Sequence, residues 1–182
     1  MNNDLNINFE LLANYNRWMN ENIYHVATKL DPETLYQDLG AYFSSIGGTL
    51  NHIMVADIIW LKRFLSHPSE FSALTSVAKL PAPGSLNQIL HRNLNQLTRA
   101  RKNLDQTLIE LCQELNHQDL NVSLTYQNTK GITFSKPFSA LVQHLFNHQT
   151  HHRGQVTTLF SQCGLNPGVT DLLAIIPEQE QL

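Results

Sequence analysis

This sequence predicts an all-α fold: an up-down four-helix bundle with a long connection and a short β-hairpin before the last long helix. Three observations carry that reading. Four segments repeat apolar residues at three-and-four spacing, the period of a helix that buries one face. Residues 120–135 switch instead to alternation around a turn-forming group. No internal repeat or break in composition divides the chain, so residues 1–182 read as a single domain.

The first helix covers about residues 5–30, with Phe9, Leu12, Tyr15, Met19, Ile23 and Val26 along one face. Asp31-Pro32 ends it, because proline cannot continue the hydrogen-bond ladder and restricts the residue before it. Residues 33–43 read as a connection with room for one helical turn. Ser44 or Ser45 caps a second helix running to about Ser66. From Ile53 to Leu61 it is apolar nearly all round, the pattern of a central, buried helix.

His67-Pro68 stops that helix, and a polar loop with Pro81, Pro83 and Gly84 follows. Ser85 then opens a long third helix to about Asn116, its stripe running from Leu86, Ile89 and Leu90 to Leu111 and Leu115. Val122, Leu124 and Tyr126 alternate with polar residues, as do Ile132 and Phe134, on either side of Gln127-Asn128-Thr129-Lys130-Gly131. That is a hairpin pattern. Ser135 and Pro137 suit the cap and first turn of a fourth helix to about Gln162, and Gly164 and Pro167 stop it. The apolar patch Leu172 to Ile176 is expected to pack back on the helices before a polar tail.

Hydrophobic residues make up 42% and charged residues 15% of the chain, which suits a globular domain with its own core. The formal net charge of −3 gives no basic field for nucleic acid. The small group Arg99, Arg101 and Lys102 reads as a solvated helix face. Two cysteines, Cys112 and Cys163, lack paired spacing and point to a reducing compartment. Met1-Asn2-Asn3-Asp4 has neither the basic nor the apolar region of a signal peptide. The longest apolar run, Ile53 to Leu61, is broken by Asp57 and falls short of the roughly 20 residues that cross a bilayer. The expected location is cytoplasmic, with no membrane or nucleic-acid partner.

Four of the nine histidines lie between Gln143 and Gln155. On a helix His148 and His152 fall about 40° apart, one turn from each other, and can grip one divalent cation. Leu141, Leu145 and Leu159 lie within about 60° of His148, so the pair is expected to point into the bundle. Two buried imidazoles need hydrogen bonds or a metal, and either reading remains open on spacing alone. His52, in the buried second helix, is the best candidate for a third ligand, though it could simply bond a backbone carbonyl. His144 and His151 fall on the flank of the stripe.

Other residues narrow the chemistry. Gln149 stands where a metalloprotease has its glutamate base, which removes that reading. Glu114 and His117 match half of a di-iron motif but have no partner motif. Gln155 shares the histidine face and could orient a ligand imidazole or a water. Asp57 lies about 140° from His52 and suits pairing with a basic group or capping a loop. Arg153 either faces a carboxylate or is an ordinary surface arginine. Gly154 either lets a helix approach or is simply tolerated, and Trp18 and Trp60 read as core or pocket wall. Asp57 and Glu21 are conceivable general bases, but nothing in the sequence singles either out.

These residues resemble the DinB/YfiT-like family of metal-dependent bundle proteins. The likeness rests on Asn14-Tyr15-Asn16-Arg17-Trp18, on Thr49-Leu50-Asn51-His52-Ile53 with Asp57 and Trp60, and on His144 to Gln155 with its His-x3-His-Arg-Gly-Gln element. The resemblance implies a four-helix bundle whose histidine triad, here His52, His148 and His152, binds a divalent metal such as zinc, nickel or iron. It implies a homodimer, and for some members thiol-dependent transfer to small molecules or isomerisation of maleylpyruvate. The expected function is therefore a metal-dependent enzyme on small molecules, thiol S-transferase-like with a low-molecular-weight thiol. The alternatives are a metal-dependent hydrolase or a non-catalytic, stress-associated metal-binding protein.

Overall fold

Four long helices carry most of the helical residues: α1 (Asp4–Ala27), α3 (Ile46–Phe64), α5 (Leu94–Glu114) and α7 (Phe138–Gln162). The computed structural model describes residues 4–178. Met1 to Asn3, read above for a leader, and the end of the polar tail lie outside the described residues. α1 packs against α5 and α7, and α3 packs against α7 and α5. Between them lie the short helices α2 (Pro32–Leu35), α4 (Thr75–Ala78) and α6 (His117–Asn121), and two 3-10 turns, Ser72–Leu74 and Leu172–Ile175. Strands β1 (Ser123–Gln127) and β2 (Thr133–Pro137) form an antiparallel pair. No helix among the described residues is long and apolar enough to cross a membrane.

Local chemistry explains most boundaries. Asp31 caps the single turn of α2, its carboxylate accepting from Thr34 N at 2.8 Å. Ser45 Oγ accepts from Gly48 N at 3.0 Å and starts α3. Gly48 is required there, because a Cβ would sit 2.1 Å from the Phe43 carbonyl oxygen. Asn116 and Asp119 form a reciprocal capping box on α6. Glu114 instead accepts from Ser72 Oγ and Ala73 N, so it binds a neighbouring turn.

The hairpin occurs as expected, with Tyr126 opposite Phe134, but β2 runs through Ser135 to Pro137. Ser135 therefore does not cap α7. The helix start is held by a backbone bond, Phe138 N donating to Val122 O at 2.8 Å.

The third long helix begins at Leu94, not near Leu86 where the leucine spacing starts, with Asn93 as its cap in place of Ser85. Residues 84–93 form an open segment, and Leu86 and Ile89 are 45% and 41% exposed. α3 side chains supply the hydrogen bonds that a helix would have made. Asn51 Oδ1 accepts from Leu90 N at 2.8 Å and His91 N at 3.0 Å, and His52 Nδ1 meets Leu86 O at 2.8 Å. At the other end of the chain Leu172 and Ile175 pack on the core, while Leu173 and Ile176 face outward.

Candidate metal centre

α3 and α7 lie side by side, and three imidazoles converge where they meet. His52 Nε2 lies 3.3 Å from His148 Nε2 and 3.2 Å from His152 Nε2, and the last two atoms are 3.1 Å apart. No carboxylate joins the group among the described residues.

The outer nitrogens show where the ring protons sit. A carbonyl oxygen only accepts, so His52 Nδ1 donates to Leu86 O. Gln155 turns its amide oxygen to His152 Nδ1 at 2.7 Å and its amide nitrogen to His151 Nε2 at 3.3 Å. His152 Nδ1 is thereby also a donor. In the neutral rings both Nε2 atoms then present lone pairs to each other at 3.2 Å. Such lone pairs repel unless a proton or a cation lies between them.

Burial opposes an added, charging proton; the neutral His148 ring can turn its own Nε2–H toward the pair, or a cation can take that place. Desolvation pushes His52 down to about 4 despite its bond to Leu86, and pushes His148 down to about 3 with further help from the neighbouring imidazoles. His152 is lowered as well, again mainly by desolvation. At neutral pH the rings are uncharged, the form that ligates metal. The spacing also suits an ion. Bonds of about 2.0–2.1 Å put ligand nitrogens about 3.4 Å apart in a tetrahedron and about 2.9 Å apart at right angles. The observed separations of 3.1–3.3 Å lie between these values. The three histidines can hold a divalent cation.

His148 and His152 do not point to the centre of the buried face. The buried face of α7 centres on Gln149 and Val156, about 90° round from His148. His152 is 8% exposed and His148 only half-buried, so the pair sits at the edge of the buried face, open to solvent on one side. Phe43 covers the opposite side, stacked on His52 with centroids 3.7 Å apart and edge-on to His152 at 5.6 Å. His144 stands outside the triad, between His148 and Trp60, with centroids 6.1 and 5.0 Å away. Among the described residues His148 Nδ1 is buried without a partner, so of the three rings this one lacks a second hydrogen bond to orient it.

Beneath the histidines lies a polar cluster that the sequence reading did not assemble. Asp57 pairs with Arg101 and accepts from the Gln149 amide at 2.9 Å on each oxygen. Arg101 Nε lies 3.0 Å from Asp105 Oδ1, and Asn16 and Asn20 both donate to that oxygen at 2.8 Å. Arg153 donates to Asn16 Oδ1, Gln149 Oε1 and Thr150 Oγ1. Two arginines and two aspartates make the group formally neutral. Burial pushes Asp105 up to about 6 against the pull of Arg101, and lowers Arg153 to about 10.

Asp57 thus pairs with a basic group, as its position suggested, and is not available as a base. Arg101 is not on a solvated face; it is 2% exposed. Arg153 is buried among amides, not at the surface. Glu21 is exposed on α1. Gly154 permits no close approach, since an added Cβ would meet nothing within 4 Å. A signal for the cluster was present: Asn16/Asn20, Arg101/Asp105 and Gln149/Arg153 are polar pairs four residues apart, each on an otherwise apolar stripe.

A family model described as the DinB family matches residues 1–181. The chain belongs to the DinB family. This DinB-family chain is also similar to "Protein DinB" of Bacillus subtilis (strain 168), 28% identical over 160 residues that cover 88% of each chain. No solved structure matches it. The resemblance read from His144 to Gln155 is borne out, and the three histidines it implied are the three that converge.

Proposed function

We propose that His52, His148 and His152 hold one divalent ion, zinc, nickel or iron, and that this centre acts on small molecules as a thiol S-transferase. The observation that carries the reading is the pair of outer hydrogen bonds, donated by His52 Nδ1 to Leu86 and by His152 Nδ1 to Gln155, that turn imidazole lone pairs inward. When bound, a divalent cation supplies Lewis acidity and lowers the pKa of a coordinated thiol or water. Three neutral imidazoles leave positions open for a substrate, as catalytic rather than structural sites do. The half-buried edge at His148 is the route in, and the Phe43 ring excludes water from the His52 side. In the transfer, the sulfur of a low-molecular-weight thiol forms a bond to carbon. The leaving group departs with its electron pair, and the thiol proton passes to solvent.

Hydrolysis has less support. A bound cation would lower the pKa of water as well, but no carboxylate stands beside the histidines to take up its proton among the described residues. Asp57 is held by Arg101 and Gln149. A thiol is far more acidic than water and needs no such partner. Metal analysis of gently purified protein, with a panel of thiols and electrophiles run on native protein and His148→Ala, tests the proposal. Turnover lost in the variant supports it. Stoichiometric metal without any turnover would instead favour a non-catalytic, stress-associated metal-binding role.

Adjacency of α1, α3, α5 and α7 supports an up-down four-helix bundle, and the family match over residues 1–181 supports a single domain. Free Cys112 and Cys163 suit the cytoplasm. A homodimer follows from the family resemblance, and light scattering of the purified chain checks it.

A further inference from the structure

We infer that this chain has a second small-molecule site on the far side of α3 from the histidines, for a compact, uncharged, largely apolar molecule. The inference does not depend on whether the imidazoles hold metal. A cavity of about 420 Å³ lies between α3, α5 and residues 80–91, near the lower end of the roughly 300–1,000 Å³ found for ligand pockets. Its floor is Met54, Ile58 and Leu104, all buried. Met54 and Ile58 project about 200° and 240° round α3 from His52, so the cavity and the triad occupy opposite faces of one helix.

The cavity persists because its roof is pinned from the side. Asn51 accepts from Leu90 N and His91 N and donates to His91 O at 3.2 Å, and Tyr36 Oη donates to the same carbonyl at 3.0 Å. These bonds hold Leu90 and His91 over the floor and keep the segment from settling onto it. Among the described residues no lysine, arginine, aspartate or glutamate lines the space, so a charged ligand would find no counter-charge. Gln88, Asn103 and His91 stand among the lining residues and can receive one hydrogen-bonding end. A largely apolar cavity offers water few bonds, so an apolar occupant displaces it favourably.

The roof also reaches the histidine triad. The segment that contributes Leu90 and His91 carries the Leu86 carbonyl that fixes the His52 tautomer. An occupant that lifts the roof strains that bond, and the cavity thereby reports to His52 through one strap of chain.

Titration of the full-length, metal-free protein with indole, followed by NMR, tests the inference. We expect the Met54 methyl to shift saturably, with a dissociation constant in the roughly millimolar range or tighter, and to show an intermolecular NOE to indole. The His52 ring resonances should move with the same midpoint. Ala100→Trp, which fills the cavity from α5, should abolish the shifts; should that variant fail to fold, the NOE in native protein decides alone. Absence of a saturable Met54 shift, or an NOE mapping elsewhere, overturns the site. A saturated Met54 shift with an unmoved His52 overturns the coupling.

Discussion

The Gln149 amide nitrogen lies 2.9 Å from both carboxylate oxygens of Asp57. The residue after His148 is thus tied to the residue five places beyond His52, and the clamp sets the spacing of the two helices that carry the triad. Gln149→Glu restores the metalloprotease spacing with His148 and His152, yet its side chain would face Asp57 and not the imidazoles. We predict no gain of hydrolysis and a loss of about 3–5 kcal/mol, the scale for an uncompensated buried charge. Urea unfolding measures it, and part of the loss should return on acidification as the new carboxyl protonates.

Arg101 is held from both sides, by Asp57 and Asp105. Arg101→Ala leaves two buried carboxylates without their cation and should also cost about 3–5 kcal/mol. Lys102→Ala, on the neighbouring exposed position, should change stability by less than about 0.5 kcal/mol. Equal effects in the two variants would show that Arg101 is solvated after all.

Gln155 accepts from His152 Nδ1 and is only half-buried. Gln155→Ala should leave the fold intact and weaken metal binding by about 10–100-fold, as loss of an orienting partner typically does. Gln155→Glu keeps an acceptor at that position and should retain the affinity. Calorimetric zinc titrations of the three proteins distinguish these outcomes.

Gly48→Ala drives a Cβ to 2.1 Å from the Phe43 carbonyl, a backbone atom that cannot rotate away. We predict a loss of about 1–3 kcal/mol from overpacking. Because Phe43 stacks on His52, the upfield ring-current shift of His52 should shrink in the same variant.

The histidines also set a pH dependence. His148 has an ordinary value of 6.5 unfolded and is pushed down to about 3 in the folded chain. Between those values the unfolded chain binds more protons, so stability rises with pH and falls on acidification below about 6.5. Asp105, raised to about 6 in the folded chain, acts in the opposite direction between about 4 and 6. The difference between native protein and His148→Leu isolates the histidine. In metal-free buffer the stability gap should move in favour of the variant as pH falls from 7 to 4, read from urea midpoints.

The long helices were legible because their apolar period persists over many residues. The triad was legible because two of its histidines lie one turn apart and the third sits at the head of a long apolar run. Residues 84–93 keep leucine spacing without helix, because Asn51 and His52 supply partners for Leu86, Leu90 and His91 that no local pattern reveals. α4 and α6, with four and five residues, are too short to show a period. The depth of Gln149, Arg101 and Arg153 was missed for a different reason. An apolar stripe assigns polar residues to the surface, and only their mutual bonds, contributed by α1, α3, α5 and α7, make burial tolerable.

Titration of zinc into metal-free protein by calorimetry, on native chain and on His52→Ala, His148→Ala and His152→Ala, tests the central claim most directly. We predict one ion per native chain, with that binding lost in each variant while helical circular dichroism persists. Stoichiometric binding that survives all three substitutions, or none in the native chain, would contradict it.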